Sequence, residues 1–357
     1  MLASFWDRYA FSLREVDFVW LDVALAAMAR GEWPAFERRL SESLACAARA
    51  DLEDASPSQD ALDAAATAFR YERDLISAGD VNVWLERTGL TEDDWMEYLN
   101  RDLLREQWSD DLEEILDRFA PSARQLVAAA VAEGICSGIF DTFEQAFACR
   151  ASFVLEKDAA QFQLACQRNG SPSADASVAR LAQTHAHWLS MRPAADTALR
   201  LSTVLELETA FRLLADGIAS NGRMSEVVDA HVVEWMQLEV DTVSFTTESA
   251  AREAIFCVRE DGLTLYDVAA LSHRLVGRTT VALEDVDVRH RDQLLAAEPG
   301  RLLGPLPVDG RFDVKRIVTR TTPALTDPVV AARARQALID TALRNAARDH
   351  VTRRARN

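Results

Sequence analysis

The stretch EPGRLLGPLPVDGRFDVKRIVT, residues 298–319, gives the clearest indication of the fold in the C-terminal third of this 357-residue chain. It contains two turn signals, Pro299-Gly300 and Asp309-Gly310. Because proline cannot continue a helix and glycine readily adopts the left-handed conformation, Pro-Gly ends a helix predicted over residues 289–297. Asp-Gly is typical of tight hairpin turns, so residues 312–319 are predicted to form a closing strand.

The residues before this stretch change repeatedly between strand-like and helix-like patterns. Residues 232–245 are rich in β-branched and aromatic residues with partial alternation, which favours a strand. Apolar residues at helical spacing predict helices over residues 249–258 and 263–275, and residues 279–283 are predicted to form a further strand. Together these elements predict a small α+β unit.

The N-terminal part of the chain, up to about residue 224, has apolar and charged residues at helical spacing and almost no β-branched run. We therefore predict a largely α-helical region, with strands only after it. Thr91-Glu92-Asp93-Asp94 has the pattern of a capping box at the start of one helix, and Gly89 is the expected left-handed stop of the helix before it. Thr326-Asp327-Pro328 supplies an N-cap and a first-turn proline for a long helix that runs to about Val351.

The charge and the N-terminal sequence limit the partners and the compartment. The chain has 39 Lys and Arg against 57 Asp and Glu, a net charge of −18, which opposes binding to nucleic acid and to anionic membranes. Residues 1–17 carry charges of both signs and lack the basic and apolar regions of a secretory signal. Five scattered cysteines suit buried thiols in a reducing compartment. We therefore expect a cytoplasmic protein.

Motifs for common catalytic centres are absent from the sequence. It contains no HExxH, CxxC, GxSxG, GxGxxG or P-loop pattern, so no metal and no cofactor is expected. The acidic runs at residues 92–94 and 110–114 are interpreted as charges that complement helix N-termini. Six of the eight tryptophans lie within the first 110 residues, where they either pack a core or line a peptide-binding groove. The arginine-rich helix after Pro328 could contact an acidic peptide or the chain's own acidic helices.

Two parts of the sequence carry a resemblance to a known family of foldases. The segments 298–305 and 310–314 together resemble the last part of parvulin-type prolyl isomerases. The run from Phe69-Arg70-Tyr71-Glu72-Arg73-Asp74-Leu75 through Trp84 and Trp95 to Leu103-Leu104-Arg105 is similar to the helical chaperone module of SurA-like foldases.

The resemblance implies an α+β fold with three parts. A SurA-like helical domain is expected over residues 1–225 and a degenerate parvulin-like domain over residues 226–325. A C-terminal helix is expected over residues 326–357, and in this family such a helix returns to pack on the N-terminal helices.

The resemblance also implies positions for a binding groove. It aligns Thr242 and Asp313 with the two histidines of an active parvulin, and Val286 and His290 with the methionine and phenylalanine of the proline pocket. Phe312 keeps an aromatic residue beside Asp313, and the acidic or cysteine position of the family has no counterpart. Because both imidazoles are replaced, the arrangement of polar groups around a prolyl bond is weakened, and we expect peptide binding without efficient isomerisation.

The residues predicted to bind peptide are Thr242, Leu283, Val286, His290, Leu294, Phe312 and Asp313, and no catalytic residue is predicted. A second interpretation is that Thr242 and Val286 are packing residues of a degenerate domain. Cytoplasmic homologues of this kind act in the maturation of ribosomally made, modified peptides, as in crocagin-like pathways. The resemblance therefore implies a non-catalytic protein that binds a precursor peptide and presents it to tailoring enzymes. The alternatives are an active prolyl isomerase and a general holdase that binds unfolded peptides.

Overall fold

The computed structural model describes residues 5–167, 176–189 and 194–353, and the chain forms two compact units. The first consists of Met1–Asp216 with Thr341–Asn357, and the second consists of Gly217–Asp340. Helices and two small antiparallel sheets confirm the predicted α+β fold class. The three domain ranges given by the resemblance stay a prediction.

The first unit is mainly helical. Its helices are α1 (Trp20–Arg30), α2 (Trp33–Glu53), α3 (Gln59–Glu72), α4 (Ala78–Thr88), α5 (Glu92–Gln107), α6 (Leu112–Phe119), α7 (Ala123–Cys136), α8 (Ile139–Lys157), α9 (Ala159–Cys166), α10 (Ala176–Thr184), α11 (Ala186–Leu189) and α12 (Ala194–Ile218). Within the described residues, no single helix has the length and apolar character needed to cross a membrane. Helices α7 and α8 have that length and apolar character only when they are taken together, and the bend between them is 76°.

A β-hairpin near the N terminus shows that the expectation of strands only after residue 224 is wrong. β1 (Tyr9–Leu13) pairs antiparallel with β2 (Val16–Val19), and β7 (Val351–Thr352) pairs with the other side of β1. The buried rings of Phe11 and Phe18 stack with their centroids 4.9 Å apart. Because each strand is so short, its alternation does not stand out from the helical pattern around it.

Helix α5 begins as the sequence predicts. The Thr91 hydroxyl accepts a hydrogen bond from the Asp94 backbone N–H at 3.1 Å, and the Asp94 carboxylate accepts one from the Thr91 N–H at 2.9 Å. Gly89, with φ +75°, ends α4 in the left-handed conformation. Trp95 and Leu99 are buried, so the face that carries them packs into the first unit.

The elements of the second unit are α13 (Asn221–Ala230), β3 (Gln237–Phe245), α14 (Glu248–Glu260), α15 (Leu265–Leu271), β4 (Gly277–Ala282), a 3₁₀ turn (Leu283–Asp285), α16 (Val288–Ala296), β5 (Leu302–Val308), β6 (Arg311–Thr321) and the first part of α17 (Pro328–His350), whose residues from Thr341 onward belong to the first unit. Its four strands form an antiparallel sheet in the order β4-β3-β6-β5.

The sheet has an apolar layer on each face. On one face, here called the α16 face, Leu238 and Val240 of β3 pack with Leu294 of α16. On the opposite face, here called the α14 face, Val243 and Phe245 of β3 pack with residues of α14 and α15. Because side chains alternate along a strand, the position of each β3 residue assigns it to one face.

Two strands of the second unit differ most from the sequence prediction. The strand predicted from residue 232 begins only at Gln237, because residues 231–235 form a turn in which the His231 ring stacks on Trp235 at 4.9 Å. Strand β5 was not predicted, since glycine and two prolines lower the strand propensity of LLGPLPV. The predicted Asp309-Gly310 turn is confirmed, with φ values of 48° and 75°.

The long helix α17 begins at Pro328, as predicted. The Asp327 carboxylate accepts a hydrogen bond from the Val329 N–H at 2.8 Å, which satisfies one of the free donors at the helix start. Within the second unit, Val330 and Ala334 of this helix are buried in one cluster with Trp235.

Candidate functional site

A row of polar side chains lies on the α16 face, at the positions where the resemblance places the two histidines. The register pairs Thr242 with Lys315 and Ser244 with Asp313. The Ser244 hydroxyl donates to Asp313 Oδ1 at 2.6 Å, and Lys315 Nζ lies 3.5 Å from Asp313 Oδ2. Asp313 is 7% exposed and has a partner for each oxygen. This carboxylate is therefore held in place by its own neighbours.

Three of the predicted residues belong to the core beneath this row or beside it. Leu283 and Leu294 are each 2% exposed, and Val286 packs against the same cluster. A peptide could contact Leu283 or Leu294 only after the core had opened. The site predicted from the resemblance therefore includes residues whose observed role is packing.

His290 has a different environment on α16. The side chain is half-buried, and neither ring nitrogen has a hydrogen-bond partner among the described residues. In the same part of the chain, no three His, Cys, Asp or Glu side chains are close enough to hold a metal ion. Both ring nitrogens are themselves buried, so His290 offers no accessible polar contact to a ligand in this conformation.

Phe312 lies apart from the other six predicted residues. The register pairs it with Phe245, and it packs against the cluster on the α14 face. Its neighbour Asp313 therefore projects toward the α16 face. A groove lined by Val286, His290 and Phe312 together, as expected from the sequence, is not formed.

The two edge strands of this sheet differ sharply. β5 carries Pro305 and Pro307, and its pairing with β6 is interrupted between Leu303 and Leu306. Gly304, with φ +128°, lies so close to β6 that a Cβ atom there would be 2.6 Å from the Asp313 carbonyl oxygen. Prolines and a bulge both protect an edge from further pairing, so β5 is a closed edge.

β4 is the open edge. In the sheet formed by the described residues it pairs only with β3, and residues 277–280 are exposed to solvent. The strand GRTTVA contains no proline, and its Thr279-Thr280-Val281 run is rich in β-branched residues. The backbone N–H and C=O groups on its outer side are therefore available to another strand. The sequence predicts the strand but does not show that it lies at an edge.

A buried ion network fixes the open edge in place. Asp241 of β3 is fully buried and accepts hydrogen bonds from Arg278 Nε of β4 at 2.7 Å, Arg316 Nη2 of β6 at 2.5 Å and the Tyr266 hydroxyl at 3.2 Å. The hydrogen bonds from Arg278, and next those from Arg316, hold the pKa of Asp241 below its ordinary value, against the effect of burial. The charged carboxylate thus joins three strands and orders β4 before any ligand binds.

Comparisons with known proteins add little beyond this geometry. No family model matches the chain, and no curated protein matches it. Among solved structures, the chain is similar to the foldase protein PrsA from Lactococcus lactis, with 9% sequence identity and a TM-score of 0.26 over 60% of this chain and 85% of that chain. This is a distant foldase-like relationship at most, and it carries no argument about the site or its ligand.

Proposed function

We propose that this protein is a non-catalytic peptide-binding protein, which adds an extended peptide as a further strand beside β4. The observation that carries the proposal is the exposed, proline-free edge of β4, held by the Asp241 network. An extended peptide gains main-chain hydrogen bonds from such an edge, and pockets beside alternate side chains give selectivity. Because β4 is already ordered, little conformational entropy is lost by the protein on binding.

The register of β4 predicts the chemistry of the peptide. Thr279 and Val281 pair with Val240 and Leu238, so they lie on the α16 face. Arg278 and Thr280 alternate with them and lie on the α14 face. We therefore expect apolar or β-branched peptide side chains on the first side and polar, hydroxyl-bearing ones on the second.

The polar row on the α16 face supports a role in binding over a role in isomerisation. Asp313 is occupied by Ser244 and Lys315, and none of these side chains is an imidazole. The finer proposal is that the bound chain is a ribosomally made precursor peptide, presented to tailoring enzymes. That proposal rests on the sequence resemblance.

Proline substitutions in β4 test the strand-addition proposal. Successive N–H groups along a strand point to opposite sides, so of Thr279 and Thr280 one donates toward β3 and the other points outward. Thr279→Pro and Thr280→Pro are therefore a matched pair. The variant that loses the outward N–H should keep its unfolding midpoint and bind about tenfold more weakly, while the other should be clearly less stable.

The probe is a fluorescein-labelled peptide of alternating valine and threonine, with glycine and serine at its ends. Its control has the same composition with prolines at alternate positions. Binding of the probe should slow hydrogen–deuterium exchange over residues 277–282, and the control should leave that exchange unchanged. Equal affinity of both proline variants and the wild type, or protection confined to other segments, would overturn the proposal.

Two further measurements separate the finer possibilities. Tight binding of one candidate precursor peptide over shuffled versions of its sequence supports precursor recognition. Equal binding of the shuffled peptides indicates a general holdase. Catalysed cis/trans exchange in a prolyl tetrapeptide, lost in Asp313→Ala, would contradict the non-catalytic assignment.

A further inference from the structure

The negative charge of the chain is concentrated in one segment of the first unit. Residues 51–119, from the end of α2 to the end of α6, contain 20 acidic and 6 basic residues, a net charge of −14. This is most of the net charge of −18, carried by less than a fifth of the sequence. Such a field attracts cations and repels anionic ligands.

A cavity of about 650 Å³ borders this segment, lined by α3 and α5 of the segment, by Arg39 of α2 and by the α7–α8 connection. Helix α3 lines it with alanines at helical spacing (Ala61, Ala64, Ala65 and Ala68). Because these side chains are short, they leave space opposite Tyr98 and Leu99 of α5. The volume falls within the range of pockets that hold small ligands or peptide side chains.

The basic residues at the cavity are already paired. Arg39 binds Asp102 Oδ1 through Nη2 at 2.6 Å and Glu133 Oε1 through Nε at 3.0 Å. Arg73 donates to the Cys136 carbonyl oxygen and stacks over the Phe69 ring. These guanidinium groups therefore have little capacity to bind an anionic ligand.

Acidic groups at the same cavity keep free acceptors. Glu106 has no ion pair among the residues that the structure describes. Asp102 contacts both Arg39 and Arg105 through Oδ1, which leaves Oδ2 available. The free polar atoms around this cavity are thus acceptors carrying negative charge.

Tyr98 supplies an independent sign of a ligand. The residue is 5% exposed and lines the cavity, and its hydroxyl has no hydrogen-bond partner in the described part of the chain. Burial, and then the nearby carboxylates of Asp102 and Glu133, raise the pKa of Tyr98, so the hydroxyl stays protonated. A ligand donor or acceptor in the cavity would form a hydrogen bond with this unpaired hydroxyl.

We propose that this cavity binds a cationic segment of an unfolded polypeptide, with a lysine or arginine side chain that reaches Asp102, Glu106 and the Tyr98 hydroxyl. The alanine-lined wall accommodates the aliphatic part of that side chain. The proposal goes beyond strand addition at β4 and does not depend on it.

Charge-matched peptides and variants test this site. The probe is a fluorescein-labelled glycine–serine peptide with a lysine at every third position, and its counterpart has glutamate in place of lysine. The lysine peptide should bind in low salt and weaken as salt is added, while the glutamate peptide should not bind.

Three variants and one control locate the binding. Glu106→Gln and Tyr98→Phe should each weaken the lysine peptide by roughly three- to tenfold, and Ala65→Leu, which fills the cavity, by more than tenfold. Glu86→Gln removes one charge from the same acidic segment but outside the cavity, so it should change affinity by less than about twofold.

Equal weakening by Glu86→Gln and Glu106→Gln, or unchanged affinity in Ala65→Leu, would show attraction by the overall field and would overturn the proposal. Unfolding midpoints of all variants check the fold, and Glu106 is exposed, so its replacement leaves the core intact. The proline variants of β4 should bind the lysine peptide as the wild type does. Failure of this site is thereby distinguishable from failure of strand addition.

Discussion

The two edge strands of the sheet in the second unit differ in how well they are protected against pairing with a further strand. β5 is closed by Pro305, Pro307 and a break in pairing, whereas β4 has no proline and four exposed residues in sequence. An unprotected edge invites association with other chains, and proteins usually block it. The open edge is also the one held by the buried carboxylate of Asp241. The contrast supports the proposal that a peptide strand adds at β4.

The largest expected effect comes from removing the charge that holds the open edge. Asp241→Asn removes the negative charge that Arg278 and Arg316 bind and replaces one acceptor oxygen with an NH2 donor, and we expect a loss of about 3 kcal/mol in the free energy of unfolding. Urea denaturation at pH 7 measures this. Glu239→Gln is the control, because Glu239 lies 3.7 Å from Arg278 and is partly exposed. Equal losses in the two variants would show that Asp241 has no special role.

The same residue predicts a dependence of stability on pH. Since the folded-state pKa of Asp241 is lowered, its contribution is fully present above the unfolded pKa of about 3.9 and is lost as pH falls through the lowered folded value. The stability difference between wild type and Asp241→Asn should therefore shrink below about pH 4. Denaturant titrations from neutral to acid pH measure it. A difference that stays constant with pH would contradict the assignment.

A smaller effect is expected from the third partner of Asp241. Tyr266→Phe removes the hydroxyl that donates to Asp241 Oδ1 at 3.2 Å but keeps the ring. Because both arginines remain, the free energy of unfolding should fall by only about 1 kcal/mol. Thermal and urea unfolding measure the loss, and a cost as large as that of Asp241→Asn would mean that the hydroxyl, and not the arginines, holds the carboxylate.

The smallest effect is expected from opening the closed edge. Pro307→Thr restores a backbone N–H on β5, and weak self-association beyond that of the wild type, with a Kd of roughly 0.1–1 mM, should appear in sedimentation experiments. Val308→Thr is the control, since it leaves both prolines in place. If the proline variant associates no more than the wild type at millimolar concentration, the break between Leu303 and Leu306 alone closes this edge.

The candidate site was predictable only in part. The resemblance placed Thr242 and Asp313 on neighbouring strands, and both project toward the α16 face. The resemblance could not show that Phe312 lies on the opposite face of the sheet. The face that a strand residue occupies depends on the register, and a shift by one residue reverses it. It also assigned Leu283 and Leu294 to binding, whereas both pack in the core.

The features that depend on local interactions were predictable from the amino-acid sequence. The capping box at Thr91, the start of α17 at Pro328 and the Asp309-Gly310 turn each depend on residues a few positions apart. Three features could be seen only in the folded chain: that β4 is an open edge, that Asp241 is buried between two arginines, and that α3 and α5 border a cavity. Each of these depends on which distant segments meet, and the free energy of such contacts is not encoded in any short stretch of the chain.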